Sequence, residues 1–366
     1  MRIVACEVYG YTLTYVHGEY VMSGGRAAQT QESTLVRLLT NDGAEGWGEI
    51  ATLAGTYLPD FVGGTRAAIQ ELASPLLGCD PCNISHVHEI MDATLLGQFS
   101  AKSAIDISCW DLFGHALGVP VATLLGGVLQ PDFPLYEAVP LGTSDSMADF
   151  AAKRSAAGIH QFQIKVGNDP FEDAARVRSV IETVPNAFIV ADANGGWNVQ
   201  NGLIAVGEMK GLKVYIEQPC RESADCALVG NKCTLPLIMD ESVVTASDLV
   251  FAKYEVGAGS LNIKLSRLGG LGPSARMRDL AQSLGMSVTV EDMWGGDITT
   301  AAVSHLAATT RPSLLLSTSF FNDWTKEHIA TVAPRSKNGR GAAPLTPGLG
   351  VQVNRKLLKS PLYTVK

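Results

Sequence analysis

Residues 2–14, 33–40 and 46–50 alternate apolar with polar side chains, the two-residue period of strands that bury one face. Asn41-Asp42-Gly43 stands between the last two runs and predicts a tight turn, so this opening reads as an antiparallel sheet. The spacing then changes to that of helices over residues 66–77, 85–95 and 101–117. Pro120 opens one more short helix, which Gly126-Gly127 ends. Gln130-Pro131-Asp132-Phe133-Pro134 interrupts the periodicity and marks a domain boundary.

Beyond it, short apolar runs alternate strictly with amphipathic stretches. Strands are predicted over 135–139, 161–166, 188–192, 213–217, 236–240, 260–264, 286–291 and 314–318, separated by helices such as 171–183, 246–256 and 273–284. Eight strands at about 25 residues per unit fit a parallel TIM-type barrel better than an open sheet. Residues 342–366 return to strands and turns. The expected organisation is an α+β domain over 1–130, completed by about 342–366, and an α/β barrel over 131–341.

Composition narrows the function. A chain of 366 residues, 46% of them apolar, is long enough for a barrel and a smaller partner domain. A net charge of −8 without any basic run argues against nucleic acid as a partner. No run approaches the roughly 18 apolar residues of a membrane span, and the first residues lack the apolar core and cleavage site of a signal peptide. Seven cysteines without regular spacing point to reduced thiols and a cytoplasmic protein. Cys79-Asp-Pro-Cys82 has the form of a redox or zinc pair. It follows a helix-ending loop rather than a strand, however, and Cys220, Cys226 and Cys233 supply no second zinc pair.

The candidate chemistry lies at the strand ends. Lys165, Asp192, Glu217, Asp240, Lys264 and Glu291 each close a predicted barrel strand, and such ends converge on one mouth. One charge there reads as a solvated loop residue; six in succession do not. Asp192, Glu217 and Asp240 end adjacent strands, where three carboxylates repel one another unless a hard cation lies between them. Oxygen-only ligands suit Mg²⁺ rather than zinc or redox-active iron. Lys165 and Lys264 flank the trio from opposite sides. The cation, the second lysine and burial each favour a neutral amine, the form able to remove a weakly acidic proton. The competing reading makes each lysine a charge partner for the acidic cluster, which accounts for one lysine better than for two. Gly270-Leu-Gly272-Pro-Ser-Ala275 matches a dinucleotide-binding loop, but it stands off its strand and lacks the acidic residue such loops require.

Gln163-Ile-Lys165-Val-Gly, Asp192-Ala-Asn194, Tyr215-Ile-Glu217-Gln-Pro, Met239-Asp240-Glu241 and Asn262-Ile-Lys264-Leu resemble the enolase superfamily, in its muconate-lactonizing and mandelate racemase group. The resemblance spans nearly the whole chain. It implies a modified (β/α)₇β barrel with an N-terminal capping domain, one Mg²⁺ at Asp192, Glu217 and Asp240, and a Lys165/Lys264 acid–base pair. Gln163 departs from the Lys-x-Lys form of that group; it shares a face with Lys165 and can hydrogen-bond a substrate carboxylate without adding charge. Ile105-Asp-Ile-Ser-Cys-Trp110-Asp-Leu, Glu217-Gln-Pro-Cys220 and Val290-Glu-Asp292-Met-Trp294-Gly-Gly-Asp297-Ile look like the cis-3-hydroxy-L-proline dehydratases and the proline-betaine and hydroxyproline-betaine 2-epimerases.

Expected substrate contacts are Gln163, Asn194 and Asp292 on the barrel, Tyr20, Ser23 and Tyr57 on capping loops, and Trp294 and Phe320 as cation–π partners for a ring ammonium. Ser317-Thr-Ser-Phe-Phe-Asn322 lacks the Asp-x-Asp of dipeptide epimerases. In a cis-3-hydroxyproline the hydroxyl and the α-hydrogen lie on opposite ring faces. Two opposed lysines would then perform an anti elimination, and without a leaving group they would epimerise Cα. The expected partner is a small carboxylate, a proline derivative, bound by a homo-oligomer. A racemase or epimerase and a non-catalytic metal-binding barrel are the alternatives.

Overall fold

In the computed structural model, which describes residues 1–53 and 55–366, strands Ile3–Thr14, Thr30–Thr40 and Glu45–Ala51 form an antiparallel meander. Tyr363–Val365, from the other end of the chain, pairs antiparallel with Ile3–Thr14. Helices Val62–Leu76, Ile84–Thr94 and Phe99–Leu117 cover the sheet. The last of these crosses Glu45–Ala51 so closely that a Cβ on Gly48 would stand 1.8 Å from the Ala104 carbonyl, so the strand needs glycine there. Tyr20–Val21 and Ala27–Ala28 form a hairpin that the periodicity did not predict, because two residues are too few to show a period.

The second domain is the barrel. Strands Glu137–Val139, Gln161–Lys165, Phe188–Asp192, Tyr215–Glu217, Leu237–Met239, Ser260–Lys264, Ser287–Glu291 and Leu315–Thr318 pair in parallel and in chain order. A parallel bridge from Leu135 to Thr318 joins the two edges. Seven main helices lie between the eight strands, from Ser144–Ala156 to Asp297–Ala308, with a single turn (Leu265–Leu268) before the sixth. Local signals start several of them. Asp169 caps Pro170–Thr183 with proline in the first turn, and Thr245 and Asp248 form a reciprocal capping box on Ala246–Tyr254. Among the described residues no helix is long and apolar enough to cross a membrane.

Buried carboxylates fasten the two domains together. Glu49, on the third strand of the cap, accepts the backbone N–H groups of Gly296 (3.0 Å), Ile298 (3.1 Å) and Thr299 (3.0 Å) at the start of the last barrel helix. Asp106 does the same at the start of Leu271–Ser283, accepting Leu271 N at 2.6 Å and Gly272 N at 3.4 Å. This corrects any reading of Gly270-Leu-Gly272 as a phosphate cradle: the anion position at that helix start holds the protein's own carboxylate. A Cβ on Gly270 would lie 2.3 Å from Asp106 Oδ2.

His305, buried on the last barrel helix, ties that helix to the end of the cap. Nδ1 accepts the Ala122 N–H and Nε2 donates to the Leu349 carbonyl, both at 3.1 Å. Both nitrogens are therefore satisfied in the neutral ring, and burial pushes the group down from 6.5 to about 4. The unfolded chain then takes the proton first, so stability is lost as pH falls from about 6.5 towards 4, by about 3 kcal/mol. Denaturation midpoints across that range should fall more steeply for the native protein than for His305→Gln; parallel curves would exclude the linkage.

Candidate active site

Strand register brings the charged ends level. Lys165 pairs in register with Asp192, Asp192 with Glu217, and Lys264 with Glu291, so all five stand at the carboxyl end of the barrel. Asp240 follows directly on the fifth strand. All six side chains are buried. Lys165 Nζ lies 2.5 Å from Asp192 Oδ2, with the Tyr20 ring 5.8 Å away. Lys264 Nζ contacts Asp240 Oδ2 and the Tyr57 hydroxyl, and lies 3.2 Å from Glu291 Oε1. Tyr57, on a capping loop, also donates to Asp240 Oδ2 at 3.2 Å.

Each carboxylate is differently supported. Arg267 donates to Asp240 Oδ1 and is itself held by the Val243 and Asn262 carbonyls. Burial would raise Asp240, but Lys264 and Arg267 outweigh it and hold the group down at about 2. Glu217 receives only amides, from Gln163 Nε2 at 3.1 Å to both oxygens and from Asn262 Nδ2 at 2.6 Å. Burial, followed by the charges of Asp192, Asp240 and Glu291, drives Glu217 well above the usual carboxylate range. Ligand oxygens of Glu217, Asp240 and Glu291 lie within 4.8 Å of one another, and Asp192 stands beside Glu217 on the neighbouring strand.

This oxygen-only set with uncompensated charge fits a hard divalent cation. Both lysines, by contrast, sit above their ordinary value: burial opposes the ammonium, but Asp192 for Lys165 and Asp240 and Glu291 for Lys264 outweigh it. The neutral form expected of these lysines is therefore not the one their present partners favour. Carboxylates engaged by a cation no longer hold the ammonium in this way.

Between the lysines lies a small cavity, lined by Tyr20, Met22 and Tyr57 from the cap and by Gln163, Asp292 and Phe321, among others, from the barrel. Asn194, in a left-handed conformation (φ 46°), also reaches it. The Asn194 amide donates to Asp192 Oδ2 at 2.9 Å and to Glu241 Oε1 at 3.0 Å. Asp292 Oδ1 accepts Met293 N at 2.8 Å and the Ser266 hydroxyl, while its buried Oδ2 has no partner. Burial raises Asp292 to about 6.

Three expected contacts lie elsewhere. Trp294 packs among Tyr15, Tyr20, Phe321 and Trp324, and Phe320 packs edge-on to Phe133 at 6.0 Å. Their chain neighbours Met293 and Phe321 line the cavity instead. Ser23 is buried and accepts from Arg26 Nη2 at 2.5 Å, away from the cavity lining. Tyr136, Asn262, Arg267 and Glu241 complete the site; none of them has a role assigned from the sequence, although Asn262 and Glu241 stand in the motifs quoted above. Asn262 also carried a geometric signal, since it precedes Lys264 by two residues on the same strand face. Cys79 and Cys82 are free thiols, and the described residues bring no histidine or cysteine group to metal-binding distance.

A capped parallel barrel with buried carboxylates and two opposed lysines at its mouth defines an acid–base enzyme of the enolase type. The chain belongs to the mandelate racemase/muconate lactonizing enzyme family. The enolase C-terminal domain-like family matches residues 146–357, and the mandelate racemase/muconate lactonizing enzyme N-terminal domain matches residues 14–126. It is 38% identical to the cis-3-hydroxy-L-proline dehydratase of Roseibium aggregatum, over 99% of each chain. It is 29% identical to the N-succinyl-L-Arg/Lys racemase of Bacillus cereus, over 98% of this chain and 97% of that one. A Roseovarius nubinhibens mandelate racemase/muconate lactonizing enzyme solved with magnesium superposes with a TM-score of 0.97, at 32% identity and full coverage of both chains. Members of this superfamily use Mg²⁺.

Asp240→Asn removes one charge from the proposed cation site and should weaken Mg²⁺ binding on the order of tenfold or more. Isothermal titration reads this directly, and unchanged affinity would remove Asp240 from the ligand set.

Proposed function

We propose that this enzyme dehydrates cis-3-hydroxy-L-proline to Δ¹-pyrroline-2-carboxylate. The observation that carries the reading is the pair of lysines lining one cavity from opposite sides of the barrel. The dehydratase relative supports the substrate class. So does Asp292: an unpaired, buried carboxylate oxygen beside the cavity suits the cationic ring nitrogen of an amino acid. Asp192, Glu217 and Asp240 are proposed to hold one Mg²⁺, which when bound stabilises negative charge developing on the substrate carboxylate.

The residues' own part follows from the geometry. One lysine, as free amine, takes the proton from Cα. The electron pair of that C–H bond becomes the Cα–C3 double bond as the C3–O bond breaks. The opposed lysine, as ammonium, passes its proton to the departing oxygen, so that water leaves. The enamine then tautomerises to the cyclic imine. Tyr57 and Met22 line the cavity from the cap side.

A second reading, 2-epimerisation or racemisation of proline, hydroxyproline or their betaines, uses the same lysines without a leaving group. The several racemases and epimerases among the relatives favour keeping it. Incubation with a panel of proline derivatives in D₂O, followed by proton NMR, separates the two. Loss of the 3-hydroxyl signals dehydration; α-deuteration with retention of every ring substituent signals epimerisation. A chelator should abolish turnover and Mg²⁺ restore it. Full turnover by metal-free enzyme, or no reaction and no exchange with any of the panel, would overturn the proposal.

A further inference from the structure

The two lysines are not equivalently held. Lys165 touches one carboxylate, Asp192, which belongs to the proposed cation-binding trio. Lys264 touches two, Asp240 of that trio and Glu291, which is its register partner on the next strand. Glu291 is itself fixed: Tyr136 donates its hydroxyl to Oε2, leaving Oε1 turned to Lys264 and, at 3.5 Å, to Asn262 Nδ2. Tyr136 stands just before the first barrel strand, its backbone N–H on the Thr318 carbonyl at 3.0 Å, and its ring packs against Trp324. The Tyr136–Glu291 unit is thus anchored where the barrel closes.

We infer that Glu291, oriented by Tyr136, is a positioning residue for Lys264, holding that ammonium in the cavity as the group that protonates the departing hydroxyl. Lys165 is then the base at Cα. Among the described residues its one carboxylate contact is Asp192, of the proposed cation-binding trio, whereas Lys264 also contacts Glu291, outside that trio. The inference rests on the dehydratase reading. It adds a division of labour between the lysines, and separates Glu291 from the cation ligands despite the closeness of its oxygens to those of Glu217 and Asp240.

Glu291→Gln keeps the shape and the bond to Tyr136 but removes the charge that holds Lys264. Dehydration should fall on the order of 10–100-fold in kcat with little change in KM, as expected for misplacing a reacting group. Exchange of the substrate α-proton in D₂O should persist, because that half-reaction needs only Lys165, and Lys264→Ala should behave in the same way. Mg²⁺ affinity by titration should match the native enzyme. Tyr136→Phe, which frees Oε2, should split the two rates in the same direction, and provides the test should Glu291→Gln fail to fold. Parallel loss of exchange and dehydration, native rates of both, or a tenfold loss of Mg²⁺ affinity in Glu291→Gln would each overturn the assignment. A native enzyme that neither dehydrates nor exchanges any proline derivative would instead reject the reaction itself.

Discussion

Five buried carboxylates, Asp192, Glu217, Asp240, Glu291 and Asp292, face three buried cations, Lys165, Lys264 and Arg267, at one end of the barrel. Ionised, they leave an excess of two negative charges in a region shut off from water. Charges in that setting are tolerated only when paired and hydrogen-bonded, since each lone ion costs several kcal/mol. Asp240 is heavily compensated, by an arginine and a lysine, and Glu217 is compensated by amides alone. The imbalance is therefore local and greatest at Glu217, where a divalent cation would offset it. Everything else at the mouth is arranged around that constraint.

Holding so many like charges together requires a rigid frame, and the frame is made by other carboxylates. Glu49 and Asp106 of the cap sit on the N-terminal ends of the barrel helices that follow the seventh and sixth strands, those bearing Glu291 and Lys264. A carboxylate at a helix start satisfies N–H groups that have no partner within the helix. The same contacts fix the cap over the mouth, so its loops deliver Tyr20 and Tyr57 to the lysines. Fold stability and active-site geometry share these contacts.

The barrel was legible in the sequence because its strands are short apolar runs, six of the eight ending on a charge, and the period of two resets at every helix. Strand edges were less so: Leu135 and Tyr136 read as the start of the first barrel strand, yet the ladder begins at Glu137, their N–H groups being spent on Gly339 and Thr318. The strand-end charges stood out for the same periodic reason. Residues that support them did not, because Arg267 lies on a turn, Tyr136 precedes its strand, and Glu241 is simply the next acid after Asp240. Trp294 and Phe320 show the opposite failure. An aromatic at a strand end has no sequence mark that says which way it turns, and here the domain interface takes Trp294 and the barrel rim takes Phe320.

Gln163 bears on substrate charge as well as on family pattern. A lysine in its place would add a fourth buried cation next to Glu217; the amide instead donates to both Glu217 oxygens and leaves the acidic excess intact. Once a divalent cation offsets that excess, a zwitterionic amino acid enters without changing the net charge, and its ammonium meets the free oxygen of Asp292. An N-acylated amino acid brings a carboxylate but no α-ammonium, so it would leave Asp292 without its partner at Cα and add an anion to a buried acidic site. On the proposed reading, the same arithmetic favours an amino acid with a free α-ammonium over the N-succinyl substrates named for some relatives, and it does so from the charges this chain buries rather than from the likeness alone.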